Sequence, residues 1–181
     1  MMPARTIIET FDPERHDRTS FSSGVEQIDN FFKKTANKLV KADNARVYVM
    51  VTEDGALIGF YAANAHAVAY QALSGRFARR RPGHGLVPAA FISMIAVDKR
   101  FQGAGYGGDL LVDCLIRIAR VADQLGIAVI MLDVLDCGND ELVRRRLSLY
   151  RRYGFEPLPS DPLRMFLPVA TVRKLFPAEV V

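Results

Sequence analysis

The stretch of residues 91–125, FISMIAVDKRFQGAGYGGDLLVDCLIRIARVADQL, constrains this chain more than any other. The run over 89–97 is almost unbroken in apolar residues and reads as a strand buried on both faces. A charged, glycine-dense turn follows over 98–108. Beyond it apolar residues recur at Leu110, Leu111, Cys114, Leu115, Ile118, Ala119, Ala122 and Leu125, the spacing of a helix, with Asp109, Asp113, Arg117 and Asp123 on the other side. A strand therefore feeds a glycine turn that opens a helix. Helix N-termini present unpaired N–H groups at the positive end of the dipole, so such a turn attracts phosphate. Gly103, Gly105, Gly107 and Gly108 carry no Cβ, and backbone amides there can close on a pyrophosphate.

Three patterns fit this turn. A ligand-free strand–helix turn would not need so many glycines. Gly103-x-Gly105-x-x-Gly108 matches the dinucleotide fingerprint, and Asp133, near the end of the next strand, stands where a ribose-binding acid is expected. Gln102-x-x-Gly105-x-Gly107 resembles the coenzyme A pyrophosphate loop of the GNAT acyltransferase superfamily. A P-loop is excluded, because no Gly-Lys-Ser/Thr follows. The segment 149–155, LYRRYGF, decides among them. Tyr150 near a helix end, with Gly154-Phe155 opening the next strand, is similar to a second GNAT signature that a dinucleotide fold has no reason to carry.

Length and composition set the frame. The 181 residues suit one domain over 1–181. No apolar run approaches the ~20 residues of a membrane span. The N-terminus lacks the apolar core of a signal peptide, so a cytoplasmic location is expected. Cys114 falls on the apolar helix face and Cys137 in a loop; without a CxxC or Cys/His cluster, neither disulfides nor a metal site is indicated. His16, His66 and His84 are scattered, which does not suggest ligands. The net charge is +4, but the basic residues cluster: Lys33, Lys34, Lys38 and Lys41; Arg76, Arg79, Arg80 and Arg81; Arg144, Arg145, Arg146, Arg151 and Arg152. Such runs form solvated faces, and beside a CoA-type loop they can also meet the phosphates of CoA or of a nucleic acid.

Taken in order, residues 6–10 read as a first strand. Ser23-Gly24-Val25-Glu26 reads as a capping box opening a helix whose inner face holds Val25, Ile28, Phe31, Phe32, Thr35, Ala36 and Leu39. A strand over 46–51 turns at Asp54-Gly55 and returns over 56–63. Residues 68–73 fit a strand or a helix equally, and 74–87, rich in Gly, Pro and Arg, reads as a long mobile loop. After the central strand and helix, 127–135 reads as a buried strand. A helix follows from about 140 to 153, then a proline-rich connector over 156–162, a last strand over 163–167 and a short helix over 168–176. The fold class is α/β (α+β): a mixed sheet of six to seven strands flanked by helices.

This order resembles the GNAT topology throughout. The resemblance implies that the fourth and fifth strands, 89–97 and 127–135, splay apart around the pantetheine arm of acetyl-CoA. The backbone of Ile95, Ala96 and Val97 would then pair with pantetheine, and the turn Gln102, Gly103, Ala104, Gly105, Tyr106, Gly107 and Gly108 would hold the pyrophosphate. Residues 21–32 with Ala36, the approach 88–97, the loop 100–105 and the segment 150–155 look like the tRNA-acetylating toxins of toxin–antitoxin pairs. Those toxins acetylate the α-amine of aminoacyl-tRNA and are neutralised by a ribbon-helix-helix antitoxin. Met94 stands where they usually have Arg, and 136–148 is longer than theirs.

The chemistry agrees. Acyl transfer from a thioester to an amine needs a neutral amine, a polarised carbonyl and a protonated leaving sulfur. A phenol of pKa ~10 is protonated at neutral pH and can deliver its proton to a thiolate of pKa ~8.5. Tyr150 is the candidate for that acid, and Tyr153 for a packing role. No His or Glu pairs with Tyr150 as a base, which favours an α-amine of pKa ~8 over a lysine at ~10.4. The expected function is acetyl-CoA-dependent N-acetyltransfer to aminoacyl-tRNA, with Arg79, Arg80, Arg81, Lys33 and Lys34 as acceptor contacts, no metal and no membrane. A homodimer stays open. The rivals are acetylation of a small amine or protein N-terminus, and a non-catalytic CoA-fold binding module.

Overall fold

The computed structural model describes residues 5–79 and 85–177. One seven-stranded sheet has the order β1-β2-β3-β4-β5-β7-β6. Its strands are β1 (Thr6–Thr10), β2 (Arg46–Thr52), β3 (Leu57–Ala69), β4 (Leu86–Val97), β5 (Val129–Asp133), β6 (Glu156–Leu158) and β7 (Asp161–Pro168). The β1–β2, β2–β3, β5–β7 and β6–β7 pairs are antiparallel and β4–β5 is parallel. A doubly wound dinucleotide fold has a mostly parallel sheet, so that alternative is removed. The parallel ladder runs from Ala89↔Val129 to Ile92↔Leu132, whereas β4 itself continues to Val97. The chain divides into two compact units, Met1–Asn64 with Ser93–Cys114, and Ala65–Ile92 with Leu115–Val181.

In the first unit an aromatic core forms where β3 meets the first helical segment. That segment comprises α1 (Glu26–Asn30), a π-helical turn (Phe31–Thr35) and α2 (Ala36–Lys41). Ile28, Phe32 and Ala36, spaced by four, are its buried residues. Phe32 stacks on Phe60 with centroids 4.0 Å apart, and Phe21 meets both rings edge-on. The Arg18 guanidinium lies over Phe11 and donates to the Phe32 carbonyl at 2.7 Å.

The capping box does not form. The helix begins at Glu26 behind an extended Val25, so Glu26 is too close to the start to reach back. Asp29 takes its place: its Oδ1 accepts from the Ser23 amide at 2.7 Å and from Ser23 Oγ at 2.7 Å. Two further expectations change here. Asp113, placed on the solvent side of the central helix, accepts a 2.6 Å bond from the buried Tyr61. His16 is buried and has a structural task, since its Nδ1 accepts from the Asp12 amide while Nε2–H donates to Glu9.

The second unit packs Val68, Leu73, Val87, Val129, Met131, Leu158 and Phe166 into one core. The β5 sequence VIML is buried along its length, as expected of a strand covered on both faces. Segment 68–73 resolves as the end of β3 and a 3₁₀ turn (Tyr70–Ala72). The expected loop 74–87 contains helix α3 (Gly75–Ala78) and the start of β4, with residues 80–84 outside the described residues. The connector 156–162 becomes the short strand β6, a turn at 159–160 and the first residues of β7; β6 pairs with β7, and Pro157 is tolerated because β6 is an edge.

Candidate active site

The central helix α4 (Tyr106–Ala122) starts directly from the glycine turn. Gly103 and Gly105 adopt φ of +86° and +90°, a left-handed backbone that glycine enters without strain. An added Cβ at either would meet nothing within 4 Å. The conformation demands glycine, and the space beside it is open. The first bonds of the helix run from the amides of Gly108 and Asp109 to the Gly105 carbonyl, at 2.9 and 3.3 Å. Amides ahead of Gly108 precede that ladder and stand at the positive end of the dipole. Gln102, Gly103, Ala104 and Gly105 are exposed, and Tyr106, Gly107 and Gly108 half-buried. A diphosphate fits such a cradle. Ile95, Ala96 and Val97 end β4 half-exposed.

The base of the turn is held by Asp98, which sequence reasoning passed over. Only 1% exposed, its carboxylate accepts from the Arg100 amide, Nε and Nη2 and from the Ser22 amide, at 2.9 to 3.1 Å. Burial pushes this carboxyl up, but the bonds from Arg100 and Ser22 outweigh it, so Asp98 titrates below the ordinary carboxylate range. Its position, the first polar residue after the apolar run, was the available signal. Gln102 turns its side-chain amide to the carbonyls of Ser23 and Val97, each at 2.9 Å, and so anchors the turn.

Tyr150 lies in the last turn of α5 (Asp140–Arg152), capped at its start by Asn139 Oδ1 on the amides of Glu141 and Leu142. It is 5% exposed and meets Phe155 edge-on at 5.9 Å. Gly154, at φ +94°, reverses the chain so that the Phe155 amide reaches the Tyr150 carbonyl at 3.2 Å. Tyr153 is half-buried.

The basic candidates are dispersed. Lys33 is half-buried in the π turn, Lys34 is exposed and Arg79 is exposed at the end of α3. Arg80 and Arg81 lie outside the described residues. Arg76 pairs with Glu156 and Arg145 with Glu141, and Arg146 donates to the Leu135 carbonyl; Arg144, Arg151 and Arg152 are exposed on α5. Asp133, the ribose-binding candidate of the dinucleotide pattern, is occupied by Arg164 in a two-pronged pair at 2.6 and 2.7 Å across β5 and β7. Among the described residues, no group of three or more His, Cys, Asp or Glu could hold a metal ion, and no helix is long and apolar enough to cross a membrane.

The sequence over 43–157 matches the model of the acetyltransferase (GNAT) domain. A probable toxin TacT of Sinorhizobium fredii is 64% identical, covering 95% of this chain and 96% of that protein. A tRNA-acetylating toxin of Mycobacterium tuberculosis is 35% identical, covering 88% and 90%. Among solved structures, AtaT complexed with acetyl-methionyl-tRNA superposes with a TM-score of 0.82 at 20% identity, over 95% of this chain and 99% of that one. This last likeness concerns the fold.

Proposed function

Because the chain belongs to the GNAT acetyltransferases and, within them, to a family of bacterial toxins, we propose that it acetylates the α-amine of aminoacyl-tRNA from acetyl-CoA in the cytoplasm. The observation that carries the coenzyme is the open left-handed turn at Gly103 and Gly105 opening α4. The tRNA acceptor rests on the relative named a tRNA-acetylating toxin. The coenzyme supplies an activated acetyl thioester. The amides from Gly103 to Gly108 bind its diphosphate, and the half-exposed backbone of Ile95, Ala96 and Val97 aligns its arm. Tyr150 is the general acid that delivers its phenol proton to the leaving sulfur. The whole chain acts as one acetyltransferase domain, kept in check by an antitoxin.

Lys33, Lys34 and Arg79, with Arg80 and Arg81, are assigned to the phosphates of the acceptor tRNA. The test incubates the protein, labelled acetyl-CoA and a pool of charged tRNA at several salt concentrations. Label should appear on aminoacyl-tRNA and fall steeply with salt, because each phosphate contact releases counterions. Replacing Arg79, Arg80 and Arg81 by Ala should weaken that transfer and leave CoA binding intact. Label on polyamines or peptides alone would move the assignment to a small-amine or N-terminal acetyltransferase. CoA binding without any transfer would leave a binding module.

A further inference from the structure

We propose that Asp29, on the first helix and far from the glycine turn in sequence, is a positioning residue for acetyl-CoA, acting through a Ser22–Ser23 strap that braces the turn. The proposal rests on the acetyl-CoA assignment above. The strap is sewn on both sides. On one side Asp29 Oδ1 accepts from the Ser23 amide and hydroxyl, both at 2.7 Å, and Oδ2 accepts from Ser22 Oγ at 3.2 Å. On the other side the Ser22 amide donates to Asp98 at 3.1 Å, the Lys99 amide donates to the Ser22 carbonyl at 2.8 Å, and Gln102 Nε2 donates to the Ser23 carbonyl at 2.9 Å. Gly24 then turns away at φ +88°, its position for a Cβ only 3.4 Å from Lys99 Cδ.

The strap matters because it meets the start of the turn at three residues, alongside the bonds of Gln102 to the Val97 carbonyl and of the Asp98 amide to the Ile58 carbonyl. Gly103 and Gly105 have open space beside them, and residues 102–105 are exposed. Their pose is set where the turn begins, at Asp98, Lys99 and Gln102, and each of these grips the strap. Asp29 fixes the strap by its charge, since hydrogen bonds to an ionised acceptor are about twice as strong as neutral ones. Without them the Ser23 carbonyl is no longer held in place for Gln102. A mobile cradle binds the diphosphate less tightly, since ordering it draws on binding energy. Once acetyl-CoA is seated, the chemical step is unchanged.

The experiment compares Asp29→Ala and Asp29→Asn with the wild-type chain. Calorimetry should show acetyl-CoA dissociation constants raised about tenfold in Asp29→Ala and less in Asp29→Asn, which keeps an acceptor. Steady-state transfer should show KM for acetyl-CoA raised in parallel, with kcat within about twofold of wild type, as expected for lost binding of ground and transition state alike. Thr52→Ala serves as a control, because it removes hairpin bonds to Ala56 in the same unit away from the strap. It should lower the thermal midpoint and leave acetyl-CoA affinity unchanged. Wild-type affinity in Asp29→Ala would overturn the inference, as would affinity losses that track thermal midpoint equally in Asp29→Ala and Thr52→Ala. If Asp29→Ala does not fold, Asp29→Asn reads the same quantities. Failure of the wild-type chain to bind acetyl-CoA would refute the coenzyme assignment itself.

Discussion

The glycine turn and the tyrosine corner both depend on left-handed glycines, and they use them in opposite ways. At Gly103 and Gly105 an added side chain would point into open space. At Gly154 a Cβ would sit 3.4 Å from Leu167 Cδ1 and 3.6 Å from Thr171 Cγ2. The turn leaves its backbone bare and open. The corner closes its backbone against its own core, and Tyr150, 5% exposed, is packed into that closure. Gly59 is closed in more tightly still, without a left-handed backbone: its Cβ would lie 2.6 Å from the Ala96 carbonyl and 2.9 Å from Leu110 Cδ1. Substitution should therefore cost binding at the turn and stability at the corner.

The largest effect should come from Gly105→Glu. It adds bulk and a negative charge at the proposed diphosphate position, where the Cβ itself would meet no protein atom within 4 Å. Acetyl-CoA binding should vanish in calorimetry, while stability falls by no more than the ~1–2 kcal/mol of a strained left-handed residue. Calorimetry that returned NADH binding and no CoA binding would break the acetyltransferase assignment of the turn.

Tyr150→Phe comes next. It removes one hydroxyl and keeps the ring on Phe155, so fold and acetyl-CoA affinity should hold. Turnover should fall by roughly 10²–10⁴-fold if the phenol delivers the proton. Wild-type turnover in this variant would reduce Tyr150 to a packing residue and erase the functional half of the comparison.

The smallest effect is expected for Gly154→Ala. Left-handed strain should lower stability by about 1–2 kcal/mol, a few degrees in thermal midpoint for a chain of this size. Acetyl-CoA affinity should stay at the wild-type value. A loss of affinity without loss of stability would show that the two glycine classes do not divide as drawn.

Much of the machinery was legible in the chain because it is local. The strand, turn and helix over 91–125 announce themselves by periodicity, and the Asn139 cap and the Gly154 reversal each involve neighbours within a few residues. The capping box failed because its spacing was right and its start was wrong: Val25 is extended, and Asp29 supplied the carboxylate instead of Glu26. At 156–158 the strand is hidden in the sequence, because Pro157 argues against one until its edge position is known. Asp133 was open to a ligand role until β7 brought Arg164 opposite it.

The sequence by itself determined the mixed order of strands and helices, the glycine turn at the head of α4, and the placing of Tyr150 before Gly154-Phe155. Each of these follows from apolar period, backbone freedom or helix-end chemistry within a short window. Only the tertiary structure decided what the polar side chains do. It joined Asp29, Ser22, Ser23, Asp98 and Gln102 into one strap, gave Asp113 to Tyr61, and made Gly59 indispensable against the Ala96 carbonyl. The reason is physical: apolar burial is averaged over many contacts and leaves a periodic trace, whereas a hydrogen bond needs one donor and one acceptor within about 3 Å, from partners far apart in the chain.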